Sequence, residues 1–362
     1  MKILFITRST LYKVKGGDTI QVVNTAKYLT KLGVEIDIKL CDEIITYDKY
    51  DLIHFFNIIR PADILSHITN SGKPFVISPI FVDYSEFEKK ERAGLFGFAA
   101  KMLPADTLEY VKVIARYILN GEKIVSPSYL LLGQKAAIKK ILKKATMLLP
   151  NSKNEYNRLL KRYHVEKPFK IIFNAVDTEI FNPSVEDAKR DSNLVLCVGR
   201  IEGIKNQLTL IKALNNSAYR LILIGSASMN HKQYYQQCKE IAAPNVQFIE
   251  NIPQEELIQY YCRAKVHVLP SWFETTGLSS LEAAAMGCNI VITDKGDTRE
   301  YFGDWAHYCD PALPESILTA VQTAAASEFP RSLQTKIFSL YTWREAANKT
   351  LQAYQETVGH TN

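Results

Sequence analysis

The chain has 362 residues, 47% of them hydrophobic and 23% charged, with a formal net charge of +6. That length favours two domains, each with a core of its own, and the composition is that of an ordinary globular protein. The mild positive charge suits an anionic substrate or an acidic membrane surface. No DNA- or RNA-binding motif accompanies it, which argues against nucleic acid as a partner.

Met1-Lys2-Ile3-Leu4-Phe5-Ile6-Thr7-Arg8 is too short an apolar run for a signal peptide and is broken by Arg8. Lys2 to Ile6 reads as a buried strand. Gly16 and Gly17 follow it, then Thr19 to Leu32 with helical periodicity, closed by Gly33. Further strands are expected at Val34 to Leu40, Asp51 to Phe56, Pro74 to Phe81 and Ala145 to Pro150. Glycines break the apolar stretch Ala93 to Leu103, a candidate for dipping into lipid. Leu131 to Ala145 carries Lys135, Lys139, Lys140, Lys143 and Lys144, with Ile138, Ile141, Leu142 and Ala145 at helical spacing. It reads either as an amphipathic helix on an anionic leaflet or as a core-packed helix with a solvated lysine face. No run approaches the ~18 apolar residues needed to span a bilayer.

A second series begins near Asn193. Strands are expected at Leu194 to Gly199, Arg220 to Gly225, Val246 to Glu250, Val266 to Pro270 and Asn289 to Asp294. Helical segments fall at Gln207 to Leu214, Lys232 to Ala242, Gln254 to Ala264, Leu278 to Met286 and Pro314 to Ser327. The alternation predicts two doubly wound α/β units with parallel sheets. Their boundary is expected in Lys167 to Asn182, around the turn-like Asn174-Ala175-Val176-Asp177. The six cysteines form no C-x-x-C pair and read as reduced thiols, which points to a cytoplasmic protein. Ligands of such folds bind beyond the carboxyl ends of the strands. The loops holding Gly16 and Gly17, Arg200, and Glu274 are therefore expected to face one cleft.

The most informative stretch is Phe273-Glu274-Thr275-Thr276-Gly277-Leu278-Ser279-Ser280-Leu281-Glu282. One carboxylate lies in a loop, small residues open a helix, and a second carboxylate lies just over one turn inside it. The unpaired N–H groups of a helix start can hold a phosphate. A carboxylate accepts two hydroxyl hydrogen bonds at once, which suits a vicinal diol. A phosphate between two diols describes a nucleotide-sugar. Ser279-x-x-Glu282 also fits a capping box, in which Glu282 only satisfies backbone donors.

Around this stretch stand Gly16-Gly17, Asn174-Ala175-Val176-Asp177, Val198-Gly199-Arg200-Ile201-Glu202-Gly203-Ile204-Lys205 and Leu223-Ile224-Gly225, with Tyr341-Thr342-Trp343 near the end. As a set they resemble the retaining enzymes of glycosyltransferase family 4, which have the GT-B fold. The likeness is dense from Asn174 to Glu300 and thin from Asp83 to Lys144. It implies an acceptor-binding Rossmann-like domain over 1–168 plus 343–362, with the last helix crossing back, and a donor-binding domain over 169–342. It implies roles as well. Arg200 and Lys205 would grip the diphosphate, and Glu274 would bind the donor sugar. The amides of Gly277, Leu278 and Ser279 would meet phosphate or sugar oxygens, Glu282 the ribose diol, and Gly16 and Gly17 would admit the diphosphate. The reaction implied is transfer of a hexose-type sugar to an acceptor hydroxyl, with retention, in surface polysaccharide or glycolipid synthesis.

The leaving diphosphate itself can take the acceptor's proton, and no strong side-chain base is evident. No Asp-x-Asp metal motif lies in a loop, since Glu35-Ile36-Asp37 falls in a strand. The expectation is a metal-independent enzyme without a cofactor. Its partners would be a nucleotide-sugar and a saccharide or lipid-linked acceptor, with the lysine-rich helix as a peripheral contact to the inner face of a membrane.

Two features depart from the family. Val76-Ile77-Ser78-Pro79-Ile80-Phe81-Val82-Asp83 lacks the family's histidine, leaving Asp83 and His54 as weak substitutes. The turn after Phe248 has Asn251 where glycine is usual, and Asn251 is expected to take the left-handed position. That loop tends to meet the nucleobase, so base identity stays open. A nucleotide-sugar epimerase and a non-catalytic binding subunit are the competing readings.

Overall fold

The computed structural model describes residues 1–90, 103–121, 123–182, 190–227 and 231–359. Contacts divide the chain into two compact units: Met1–Phe81, Glu88–Phe173 and Trp343–Asn362, and Val82–Phe87 with Asn174–Thr342. The candidate lipid-dipping stretch 93–103 lies outside the described residues except for Leu103, which is exposed.

The first unit is built on β1 (Lys2–Thr7), β2 (Glu35–Leu40), β3 (Leu52–Phe56), β4 (Phe75–Ser78) and β5 (Met147–Leu148). They are parallel, in the order β2-β1-β3-β4-β5. β3 and β4 are buried throughout, as expected of parallel strands covered on both faces. β4 stops at Ser78, short of the predicted Phe81, because Pro79 has no N–H to continue the ladder.

The helix Ser128–Lys144 settles the two readings of its apolar stripe. Ala137, Ile138, Ile141, Leu142 and the following Ala145 are all inside the first unit's core, so that face is not available to lipid. Lys135, Lys140, Lys143 and Lys144 are exposed. No helix among the described residues is long and apolar enough to cross a membrane.

The C-terminal helix Trp343–Gly359 groups with the first unit. Its buried face is Trp343, Ala346, Ala347, Thr350, Ala353, Tyr354 and Thr357, whereas Leu351, expected in the stripe, is only partly buried. Tyr354 reaches the sheet, with its hydroxyl 2.6 Å from His54 Nδ1, while His54 Nε2 lies 2.9 Å from Ser78 Oγ. His54 also stacks on Phe56. Burial pushes the imidazole pKa down to about 3, so it is neutral at physiological pH. His54 is therefore a structural pin between sheet and last helix, and it does not substitute for a catalytic histidine.

The second unit is built on β6 (Asp191–Val198), β7 (Arg220–Ile224), β8 (Val246–Ile249), β9 (Ala264–Leu269), β10 (Asn289–Thr293) and β11 (His307–Cys309). The order is β11-β10-β9-β6-β7-β8, again parallel. This is the doubly wound order that reverses between its first and fourth strands, here β6 and β9, and such a reversal opens a crevice at the carboxyl edge. β11 was not predicted: three residues at a sheet edge, without an apolar run, leave no periodic signal. All six cysteines are free thiols.

Tyr354→Phe should leave a buried imidazole nitrogen unpartnered and lower folding stability by about 1–3 kcal/mol. Urea unfolding measures this. An unchanged midpoint would mean that the pin contributes nothing.

Candidate functional site

The two loops that flank the reversal of the second sheet are stitched together by backbone acceptors. After β6 the chain passes Gly199, whose carbonyl oxygen would lie 2.0 Å from a Cβ placed on Gly225, so only glycine admits this approach. A turn at Gly203–Lys205 follows, and Asn206 takes the left-handed conformation at φ 62° before the helix Gln207–Leu214. The Asn206 amide donates to the carbonyls of Pro270 (3.1 Å) and Pro311 (2.7 Å). The Trp272 N–H donates to the Ile204 carbonyl at 2.9 Å. The loop after β6 is thereby fixed against the loop after β9.

This bracing brings Lys205 and Glu274 together. Lys205 Nζ donates to Glu274 Oε1, and Ser271 Oγ donates to the same oxygen at 2.6 Å. The Glu274 side chain is 7% exposed and that of Lys205 24%. The Glu274 backbone is fixed as well: its N–H donates to Lys295 O at 3.1 Å, and its carbonyl accepts from Asp297 N–H at 2.9 Å. Arg200 is not part of this cluster. Its guanidinium donates to Glu202 at 2.9 Å and is the more exposed of the two cations, at 43%.

Beyond Glu274 the helix Leu278–Ala285 begins at Gly277, which sits at φ 73° in the left-handed region. A Cβ there would meet Ile292 Cδ1 at 3.0 Å, so backbone strain and contact both favour glycine. No side chain caps this helix. The N–H groups of Leu278 and Ser279, in its first turn, have no acceptor within the helix and present the positive end of its dipole. The capping-box alternative is excluded, because the cap is Gly277 and the Glu282 side chain turns away. Glu282 Oε1 accepts from Gln254 Nε2 at 2.8 Å and Oε2 from the Tyr261 hydroxyl at 3.1 Å. Burial raises its pKa to about 7, and the two hydrogen bonds oppose that rise.

Gly16 and Gly17 lie in the first unit, at the start of the helix Gly17–Lys31. Arg8 organises this loop. It donates to both Asp18 oxygens, at 2.6 and 3.0 Å, and to the Val14 carbonyl at 2.7 Å. Nothing in the opening residues signalled that role beyond the charge that interrupts the apolar run. Asn251 is not left-handed, contrary to expectation; its amide donates to Ser226 Oγ at 2.8 Å, and Asn206 is the left-handed asparagine of this edge. Sequence reasoning also missed Ser271, Glu202, Gln254 and Tyr261. Only Ser271 carried a signal, three residues before Glu274 in the same loop.

Val82–Phe87 adds to the second unit from a distant part of the chain. Glu86 pairs with Lys295, whose ammonium also lies 5.4 Å from the Trp272 ring centroid.

Residues 179–336 match the family described as "Glycosyl transferases group 1". The chain is 24% identical over 315 residues to the N-acetylgalactosamine-N,N'-diacetylbacillosaminyl-diphospho-undecaprenol 4-alpha-N-acetylgalactosaminyltransferase of Campylobacter jejuni, covering 81% of this chain and 82% of that one. It is 24% identical over 319 residues to the D-inositol 3-phosphate glycosyltransferase of Corynebacterium aurimucosum, covering 78% and 75%. Among solved structures, sucrose-phosphate synthase from Thermosynechococcus elongatus superposes with a TM-score of 0.76 at 16% identity, over 99% of this chain and 100% of that one. Anabaena HepE in complex with UDP and glucose gives 0.67 at 15% identity, over 98% and 99%. The fold is GT-B, and the sequence matches support a glycosyltransferase.

The raised pKa of Glu282 has a consequence for stability. From its ordinary value of 4.5 up to about 7, the folded protein holds a proton that the unfolded chain has lost. Stability therefore falls as pH rises through that window. Glu282→Gln removes the titration, so the variant should gain on the wild type by roughly 3 kcal/mol between pH 4.5 and pH 8. Parallel melting-temperature profiles for the two proteins would contradict this.

Proposed function

We propose that this chain is a family 4 retaining glycosyltransferase that moves a hexose-type sugar from a nucleoside-diphosphate donor to an acceptor hydroxyl, in surface polysaccharide or glycolipid assembly. One observation carries the reading. At the reversal of the second sheet, Lys205 and Glu274 meet beside an uncapped helix start, and Glu282 lies buried one turn further on. The donor relatives point the same way: the Campylobacter enzyme is named as a sugar transferase acting on a diphospho-undecaprenol acceptor, and HepE was solved with UDP and glucose.

Each residue has a task in this reading. Glu274 holds hydroxyls of the donor sugar and orients the ring. Lys205, now the partner of Glu274, shifts part of its charge to the diphosphate, and Arg200 swings from Glu202 to join it. The N–H groups at Gly277, Leu278 and Ser279 take phosphate or sugar oxygens. Glu282 takes the ribose diol, with Gln254 and Tyr261 fixing its orientation. Gly16 and Gly17 admit the diphosphate from the first unit's loop. As the sugar bond breaks, charge grows on the leaving diphosphate and positive character on the sugar ring. Fixed cations and a helix dipole stabilise the first where it forms. The leaving phosphate oxygen then accepts the proton of the incoming hydroxyl on the same face, which retains configuration. Lys205, Arg200 and the dipole supply the positive charge, so the enzyme is proposed to work without a metal or other cofactor. It would work in the cytoplasm, and the exposed lysines of Ser128–Lys144 would let it rest on an anionic inner leaflet.

A thermal-shift screen with UDP, GDP, ADP and dTDP tests the donor site. A ligand at 100 times its Kd adds about 2.7 kcal/mol, so one diphosphate should raise the melting temperature clearly. With that nucleotide's sugar as donor, Glu274→Gln should lower kcat far more than it weakens nucleoside-diphosphate binding, and EDTA should leave turnover intact. Equal loss of kcat and binding would remove Glu274 from the sugar. Loss of activity in EDTA that magnesium restores would overturn the metal-free mechanism.

A further inference from the structure

Glu282 takes its orientation from two side chains of another helix. Gln254 and Tyr261 both stand on Gln254–Arg263, and each donates to one of its oxygens. An ionised carboxylate has about four acceptor sites, so each oxygen keeps a lone pair for a further donor. The direction of those lone pairs is set by how Gln254–Arg263 lies against Leu278–Ala285, the helix that carries Glu282. A binding group has to be held within about 0.5 Å of its productive position to act.

Arg190 holds the carboxyl ends of both helices. It stands just before β6, at the amino edge of the second sheet, whereas Lys205 and Glu274 follow the carboxyl ends of β6 and β9. Its Nη1 donates to the carbonyls of Tyr261 at 2.7 Å and Ala264 at 2.8 Å, at the end of Gln254–Arg263. Its Nη2 donates to the Met286 carbonyl, at the end of Leu278–Ala285. The last carbonyls of a helix lack intrahelical partners and carry the negative end of its dipole, so a single cation suits both termini. The planar guanidinium makes these bonds in fixed directions, which an ammonium on a flexible stem does not reproduce. A Cβ on Gly287 would lie 2.7 Å from Nη2, so the bare glycine leaves the guanidinium its place.

Tyr261 is the link between the two ends. Its carbonyl accepts from Arg190, its hydroxyl donates to Glu282, and the residue is fully buried. A close-packed interior transmits displacement, so a shift of the Tyr261 backbone reaches the Glu282 carboxylate.

We infer that Arg190 is a positioning residue for ribose recognition: by tying the two helices together it sets the direction in which Glu282 presents its oxygens to the ribose hydroxyls. The inference rests on the proposed reading of Glu282 as the acceptor of the ribose diol. Arg190 acts through Tyr261, from the edge of the sheet opposite the nucleotide.

The test is the preference for ribose over 2′-deoxyribose. UDP, GDP and ADP, each beside its 2′-deoxy counterpart, are titrated calorimetrically into the full chain at about pH 8, above the Glu282 pKa of about 7. Wild type, Arg190→Lys, Tyr261→Phe, the double variant and Glu282→Ala are compared, with the melting temperature of each. One ribonucleotide should bind the wild type roughly tenfold more tightly than its deoxy form, the size of one hydrogen bond to a charged acceptor. Glu282→Ala should abolish that preference. Arg190→Lys should remove most of it, as should Tyr261→Phe, and the double variant should lose no more than the worse single one, because the two act along one route. If Arg190→Lys does not fold, Arg190→Gln takes its place with the same expectation.

A lower melting temperature with the wild-type ratio retained in the Arg190 variant, while Glu282→Ala loses the preference, would make Arg190 merely structural. That outcome overturns the inference and leaves the reading of Glu282 standing. An unchanged ratio in Glu282→Ala, or no preference in the wild type, refutes that reading and the inference with it.

Discussion

Glu274 is a carboxylate with almost no access to water, and burying such a charge costs several kcal/mol unless partners compensate it. Lys205 and Ser271 are those partners, and they come from two loops that a doubly wound sheet brings together only where its strand order reverses. Asn206 is needed for the same reason, because its amide ties the loop after β6 to the carbonyls of Pro270 and Pro311. Gly225 follows as well, since a Cβ there would lie 2.0 Å from the Gly199 carbonyl oxygen, and Gly277 takes a left-handed φ of 73° that favours glycine. A buried ion pair at such a place is weak evidence for stability, and here it fixes two loops against each other.

Glu282 works under the opposite condition. It is buried, with no cation beside it among the described residues, so its pKa rises to about 7, while a phenol donates to one of its oxygens and an amide to the other. One helix therefore begins beside a carboxylate paired with lysine and contains another whose pKa burial has raised. In the first unit the same logic of burial produces His54, whose neutral ring joins the sheet to the last helix. There burial silences a titratable group, while in the second unit it tunes one.

Much of this was legible in the sequence, because parallel strands buried on both faces announce themselves as apolar runs. The helix Gln207–Leu214 has the bounds its periodicity predicts, and the other anticipated helices of the second unit differ at their ends by a single residue. Glu274, Gly277 and Glu282 were legible because they lie close together in one loop and helix. What escaped was non-local. Tyr261 and Gln254 reach Glu282 from another helix, and Glu86 reaches Lys295 from more than two hundred residues away. Asn251 was misread because a turn position usually filled by glycine suggested a left-handed residue, and the chain instead hydrogen-bonds that asparagine to Ser226. The lysine-rich helix was ambiguous for a physical reason: an apolar stripe has the same spacing whether it faces a core or a lipid.

The most direct measurement is a crystal structure with the nucleoside diphosphate that binds most tightly. The account places its ribose hydroxyls on Glu282 and its diphosphate against Lys205, Arg200 and the N–H groups at Leu278 and Ser279. Glu274 should then be freed toward the position of the donor sugar. A nucleotide held elsewhere, or a ribose turned away from Glu282, would contradict it.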